Sequence, residues 1–251
     1  MMMQKQMPSR FSRTERLIGP SGLSALHRAR VAIVGLGGVG SYVVEALARA
    51  GIGWLILIDY DDIELTNTNR QLHALEENYG RSKVDVMAKR VKAINPDCIT
   101  VTWREVVRED NLSLVLHGNL SYIVDAIDTV SSKIALIQHA LEREVPIISA
   151  MGAANKLDPL AFKIEDISNT HTCPLAKAVR KGLRDQGILQ GVKVVFSTEP
   201  PVTVIKKPTS NHSECHCPLN RPVPGTISYI PSIMGLIIAG EVIRDLLKEN
   251  R

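Results

Sequence analysis

The run Val31-Ala32-Ile33-Val34-Gly35-Leu36-Gly37-Gly38-Val39-Gly40 constrains this chain more than any other stretch, because nineteen residues after Gly40 an acid, Asp59, closes a second apolar run, Trp54-Leu55-Ile56-Leu57-Ile58. A buried strand that turns through glycines into a helix leaves free backbone N–H groups at the positive end of a helix dipole, where a phosphate can sit. An acid at the end of the next strand can hold a ribose. The pattern predicts a nucleotide site. Gly35, Gly37 and Gly40 by themselves match the fingerprint of many dehydrogenases, so an NAD-dependent dehydrogenase is one reading of the glycines alone.

The residues that follow argue for a triphosphate instead. Asp59-Tyr60-Asp61-Asp62-Ile63-Glu64-Leu65-Thr66-Asn67-Thr68-Asn69-Arg70-Gln71 is followed thirteen positions after Arg70 by Lys83. The dense charge of a triphosphate calls for guanidinium and ammonium groups beside backbone donors. Taken alone, Lys83 would merely decorate the exposed face of a helix expected over Ser82 to Ile94. A further apolar strand, Tyr122-Ile123-Val124, ends in Asp125 and Asp128. In an open parallel sheet the strand ends carry the ligand, so Asp128 is assigned to magnesium and Asp125 to structure, the alternative being that either acid caps the helix beginning near Thr129.

Strands and helices alternate to about residue 150, which predicts an α/β fold with a doubly wound, Rossmann-like, mostly parallel sheet. Strands are expected at Val31–Gly35, Trp54–Asp59, Ile99–Arg104, Tyr122–Asp125 and Pro146–Ala150, and a helix at Val39–Ala50. A C-terminal extension adds strands at Phe162–Ile164, Val194–Ser197 and Val202–Lys206 and helices at Pro174–Gln186 and Ile233–Lys248. The Pro-, Ser-, Asn- and His-rich stretch Pro208 to Pro224 is expected to be a mobile loop over the site. The chain divides into an N-terminal helical arm (1–30), an ATP-binding core (31–157) and a substrate-binding portion of the same domain (158–251).

In order and spacing, the glycine run, Asp59, Thr66-Asn67-Thr68-Asn69-Arg70-Gln71, Lys83 and Val124-Asp125-Ala126-Ile127-Asp128 resemble the adenylation domain of ubiquitin-activating-like enzymes. Within that superfamily Asn69-Arg70-Gln71-Leu72-His73-Ala74-Leu75, Ile94-Asn95-Pro96, Ser149 to Pro159 and Val195-Phe196-Ser197-Thr198-Glu199 look like the branch of tRNA threonylcarbamoyladenosine dehydratases. The resemblance implies that Gly35, Gly37, Gly38 and Gly40 cradle ATP, Asp59 binds its ribose, and Asn67, Asn69 and Arg70 bind its phosphates. It further implies that Lys83 neutralises charge as pyrophosphate leaves and Asp128 holds Mg2+. Arg10-Phe11-Ser12-Arg13-Thr14-Glu15-Arg16 is similar to an arm that enters the neighbouring subunit's site, which implies a homodimer with Arg13 or Arg16 acting in trans, Arg13 being the better match. The implied substrate is tRNA carrying threonylcarbamoyladenosine, and a sulfur-acceptor or desulfurase-system protein is a partner of some relatives. The competing member of the superfamily is an activator of a sulfur-carrier or ubiquitin-like protein.

Charge and cysteine usage refine these expectations. Residues 1–155 hold 17 basic and 17 acidic side chains and residues 156–251 hold 13 and 9, so the net charge of +4 lies in the last part. Lys177, Arg180, Lys181, Arg184, Lys193, Lys206 and Lys207 would form a face for tRNA phosphates, or an ordinary solvated helix face. Four cysteines, Cys98, Cys173, Cys215 and Cys217, do not form two Cys-x-x-Cys pairs, which excludes the zinc site of the sulfur-carrier activators. The cluster His212, Cys215, His216 and Cys217 is a weak metal knuckle at best, and Cys173 is expected to cap the helix after it rather than act as a nucleophile. The N-terminus lacks an apolar signal core and the oily stretch Ile227–Ile243 is broken by Pro231, Gly235, Gly240 and Glu241, so a cytoplasmic protein without a membrane segment is expected.

Overall fold

The computed structural model describes residues 9–203 and 224–248. Its centre is a seven-stranded sheet in the order β3-β2-β1-β4-β5-β7-β6, built from β1 (Arg30–Val34), β2 (Trp54–Ile58), β3 (Ile99–Trp103), β4 (Tyr122–Asp125), β5 (Ile147–Ala150), β6 (Phe162–Asp166) and β7 (Lys193–Ser197). All pairs are parallel except β6 with β7. The fold is the doubly wound α/β sheet that the alternation predicts, with the antiparallel strand at one edge.

Side chains that alternate along each strand feed two separate cores. Val31, Ile33, Leu55 and Leu57 join Leu26, Leu47, Met87, Met234 and Ile238, whereas Ala32, Val34, Ile56 and Ile58 join Leu116, Leu136, Val179 and Leu183. The first face is thereby covered by α1 (Ser12–Arg28), α2 (Gly40–Ala50), α3 (Lys83–Ile94) and α7 (Tyr229–Lys248). The second is covered by α4 (Leu112–Val115), α5 (Val130–Glu142) and α6 (Pro174–Asp185). Burial on both faces is what makes the central strands read as unbroken apolar runs.

Several expectations need correction. The last helix starts at Tyr229 rather than Ile233, because Pro231 falls in the first turn, where its missing N–H costs no hydrogen bond. Val202 and Thr203 are not in a strand; Lys206, Lys207, the His212–Cys217 cluster and all of Pro208–Pro224 except Pro224 lie outside the described residues. Of the arm expected over 1–30, residues 1–8 lie outside the described residues, and the described part holds α1, which bends at Gly19 (φ 74°) ahead of Pro20 and packs on α7. None of the described helices is long and apolar enough to cross a membrane.

Candidate active site

The sheet reverses its winding between β1 and β4, so the loops after these two strands leave in opposite directions and open a crevice at their carboxyl ends. The glycine turn occupies one side. A side chain on Gly35 (φ 89°) would meet the Ala126 carbonyl oxygen at 2.7 Å, and one on Gly40 would meet the Gly35 carbonyl oxygen at 1.8 Å. Both positions therefore require glycine. Gly38 lies against Pro231 and the Arg70 stem, and a side chain on Gly37 would meet Gln71 Nε2 at 3.9 Å.

Asp59, at the end of β2, is 8 % exposed and accepts hydrogen bonds from the N–H groups of Leu36 (2.6 Å) and Asp61 (2.9 Å). The acid thus fixes the glycine turn as well as facing the crevice. Burial raises its carboxyl above the usual range, and the nearby Lys83 charge opposes that shift. Lys83, at the start of α3, is 4 % exposed and meets Asp61 Oδ2 at 2.6 Å. It is not the surface decoration that its helix position allows.

The stretch between them forms a short turn over Leu65–Asn67. Asn67 is buried and its Oδ1 accepts from the Glu64 N–H at 3.1 Å, while Arg70 Nη1 donates to Thr66 O (2.9 Å) and Asn69 Oδ1 (3.0 Å). Asn69 Nδ2 in turn donates to Thr226 O (3.1 Å), which ties this segment to the chain entering α7. Asp128 is exposed, on the loop after β4. The charge of Asp61 above all, then burial, and then the charges of Asp128 and Asp59 raise the neighbouring Tyr60 phenol.

Asp125 has the structural role assigned to it. Both it and Lys133 are fully buried, and its Oδ2 accepts from Lys133 Nζ (2.9 Å) and Ser149 Oγ (2.6 Å), joining β4, β5 and α5. Neither Asp125 nor Asp128 caps α5, whose first turn has Thr129 before it and no side-chain cap. Cys173 does cap α6, its Sγ accepting from the Ala176 N–H at 3.5 Å.

Sequence reasoning missed four features. Asp61 partners Lys83, Gln71 and His73 are buried, and Lys156, 3 % exposed, donates to the Glu199 carbonyl oxygen. The Glu199 carboxylate accepts from the N–H groups of Leu157 and Asp158, so the Lys156–Asp158 and Thr198–Glu199 motifs are one interlocked corner. In the basic set, Arg180 is spent on Thr170 and Lys193 on Glu241 and Asp245, which leaves Lys177, Lys181 and Arg184 exposed along α6.

Charge, glycines and a strand-end crevice fit a nucleotide triphosphate. No group of three or more His, Cys, Asp or Glu side chains among the described residues forms a metal cage, and Asp128 supplies a single open carboxylate. That donor set fits Mg2+, which is commonly held by one or two carboxylates together with substrate phosphates and water.

Comparisons with known proteins agree with this geometry. The chain is 45 % identical over 242 residues, 95 % of each chain, to a tRNA threonylcarbamoyladenosine dehydratase of Bacillus subtilis. It is 42 % identical over 197 residues, 76 % of this chain and 74 % of the other, to one from Escherichia coli. The crystal structure of the E. coli enzyme, TcdA, in complex with ATP superimposes with a TM-score of 0.85 at 33 % identity, covering 99 % of this chain and 98 % of that one. The pattern of the ThiF family spans residues 11–251, which takes in the arm, the crevice and the closing helix alike. By fold, by crevice and by relatives over nearly its whole length, this chain belongs to the ThiF family.

Proposed function

We propose that this chain uses ATP to dehydrate threonylcarbamoyladenosine in tRNA, closing a ring on the modified adenosine next to the anticodon. The observation that carries the reading is the 45 % identity to the B. subtilis dehydratase across 95 % of both chains. The chemistry follows from the substrate. Its free carboxylate is a poor electrophile; attack of a carboxylate oxygen on the α-phosphorus of ATP breaks the bond to pyrophosphate and makes an acyl adenylate. The carbamoyl nitrogen of the same nucleoside then attacks the acyl carbon, a five-membered ring closes, AMP leaves with one carboxylate oxygen, and the nitrogen loses its proton. The nucleoside loses one water overall, and proximity drives the second step without an enzyme nucleophile.

In this reading Gly35, Gly37, Gly38 and Gly40 present the turn to the phosphates, Asp59 holds the ribose, and Asn67, Asn69 and Arg70 orient the phosphate chain. Lys83 neutralises pyrophosphate as it departs. Asp128 holds Mg2+, which supplies charge stabilisation to the phosphates. Arg13, or Arg16, reaches the site of the second subunit of a homodimer. Residues 158–251 receive the substrate, with Lys177, Lys181 and Arg184 meeting tRNA phosphates. The enzyme works in the cytoplasm, and a sulfur-acceptor or desulfurase-system protein is a further partner.

ATP-pyrophosphate exchange tests the reading. Modified tRNA should stimulate turnover, a carrier protein with a Gly-Gly tail should not, and mass spectrometry should show loss of water from the nucleoside. Arg70→Ala and Asp128→Ala should fold and lose on the order of a hundredfold in exchange, as single electrostatic donors do. Stimulation by the carrier protein alone would overturn the proposal.

A further inference from the structure

The loop that carries Asp128 is fixed from two sides. On one, the Ala126 N–H donates to Val34 O at the end of β1 (2.8 Å), and a side chain on Gly35 would meet the Ala126 carbonyl oxygen. On the other, the Ile127 N–H, one residue before Asp128, donates to Asp125 Oδ1 (3.1 Å). The second oxygen of that same carboxylate accepts from Lys133 Nζ (2.9 Å) and Ser149 Oγ (2.6 Å). Asp125, Lys133 and Ser149 are all 0 % exposed.

Stability alone does not account for this set. Burying an ion pair costs desolvation that the attraction within the pair roughly repays, and apolar side chains of the same volume are often as stable or more so. What apolar side chains cannot supply is an oriented oxygen. With two donors on Oδ2 the Asp125 carboxylate is held against rotation, and Oδ1 stays on the Ile127 N–H. Lys133 comes from α5 and Ser149 from β5, so the neighbouring elements on two sides of β4 together fix how its last residue leads into the loop.

We infer that Lys133 and Ser149 are positioning residues: through Asp125 they set the 126–128 loop so that the Asp128 carboxylate is presented to the metal that accompanies ATP. The inference rests on the Mg2+ reading of Asp128 and adds two groups that touch neither metal nor nucleotide. Their effect is confined to the metal-dependent part of ATP binding.

Calorimetric titration of the whole protein with ATP, in EDTA and with added Mg2+, reads that part as the gain in affinity that Mg2+ brings. Ser149→Ala removes one of the two donors to Oδ2; it should leave affinity in EDTA unchanged and cut the gain several-fold. Replacing all three, with Asp125→Leu, Lys133→Met and Ser149→Ala, leaves no buried charge, so the protein should melt close to wild type, yet the gain should fall by roughly tenfold or more. In the ligand-free protein the Ile127 amide should exchange its hydrogen faster in both variants. Should the triple variant fail to fold, Ser149→Ala carries the test. Unchanged exchange at Ile127, a wild-type gain from Mg2+, or equal losses in EDTA and in Mg2+ would overturn the inference. Wild-type affinity that ignores Mg2+, or an Asp128→Ala protein that responds to it as wild type does, would instead overturn the metal reading on which it rests.

Discussion

Lys83 Nζ stands 2.6 Å from Asp61 Oδ2, with the lysine side chain 5 % exposed and the aspartate 42 % exposed. The cation assigned to pyrophosphate is thus neutralised by an acid of its own chain, and the two demands on it compete. Asp61→Asn should tighten ATP several-fold by removing a negative neighbour of the phosphates. It should also lower stability by about 1–3 kcal/mol, because it leaves a buried ammonium less well paired. Calorimetric titration and denaturant melts read the two effects separately, and weaker ATP binding would place Asp61 on the nucleotide itself.

The arm can be tested by mixing. Arg13 and Arg16 are exposed and precede the bend at Gly19, so their replacement should leave the fold intact. An Arg13→Ala protein and an Asp128→Ala protein should each be inactive, yet equal amounts allowed to exchange subunits should recover about a quarter of wild-type activity. Half of the dimers would be mixed, and each mixed dimer would hold one site with both groups. Proven exchange without recovery would confine Arg13 to its own subunit or exclude it from the chemistry; the same experiment with Arg16→Ala asks the question of the other arginine.

Cys173 is 3 % exposed and serves as a helix cap. Cys173→Asp supplies a stronger acceptor at the same place, worth about 1 kcal/mol to the start of α6, and removes the thiol. Dehydration of the nucleoside, followed by mass spectrometry, should continue at a near wild-type rate. A folded variant that exchanges pyrophosphate but does not close the ring would mean that the sulfur is a covalent catalyst.

His73 sets an acid limit on stability. Burial, with help from the Lys83 charge, holds its imidazole down at about 4 instead of 6.5. Below 6.5 the unfolded chain takes up a proton that the folded chain refuses, so stability falls as pH drops from 6.5 towards 4, by about 3 kcal/mol in full. His73→Leu should flatten the difference between melts at pH 7 and pH 4.5 and cost little at pH 7, since both ring nitrogens are unpartnered among the described residues. An unaltered pH difference would assign the acid sensitivity to other groups.

What could be read from the sequence is what is local. Each of the five strands expected up to residue 150 is placed to within a residue of its observed ends, because a run such as Trp54–Ile58 is apolar throughout and turn residues bound it. Gly35 and Asp59 were visible for the same reason, both being fixed by spacing within one βαβ unit. Lys83 with Asp61, Asp125 with Ser149 and Lys156 with Glu199 were not, since 22, 24 and 43 residues separate the partners. Only the order of strands brings those side chains together. The four-residue α4 carries no periodic signal, and α7 begins four residues before the expected Ile233, with Pro231 in its first turn. The basic set failed differently: charge can be counted from sequence, but whether Arg180 and Lys193 are already engaged cannot.

The closing helix gives the molecule an order of assembly. Pro231 lies against Gly38, and a side chain on Gly235 would meet the Val39 carbonyl oxygen at 2.5 Å, so α7 is the back wall of a turn that was synthesised almost two hundred residues earlier. A ribosome-bound chain of the first half can pair β1, β2 and β4, yet its glycine turn stays unsupported until the last helix has left the exit tunnel. Nucleotide competence therefore waits for α7, and nascent chains that stall before Tyr229 should not engage ATP.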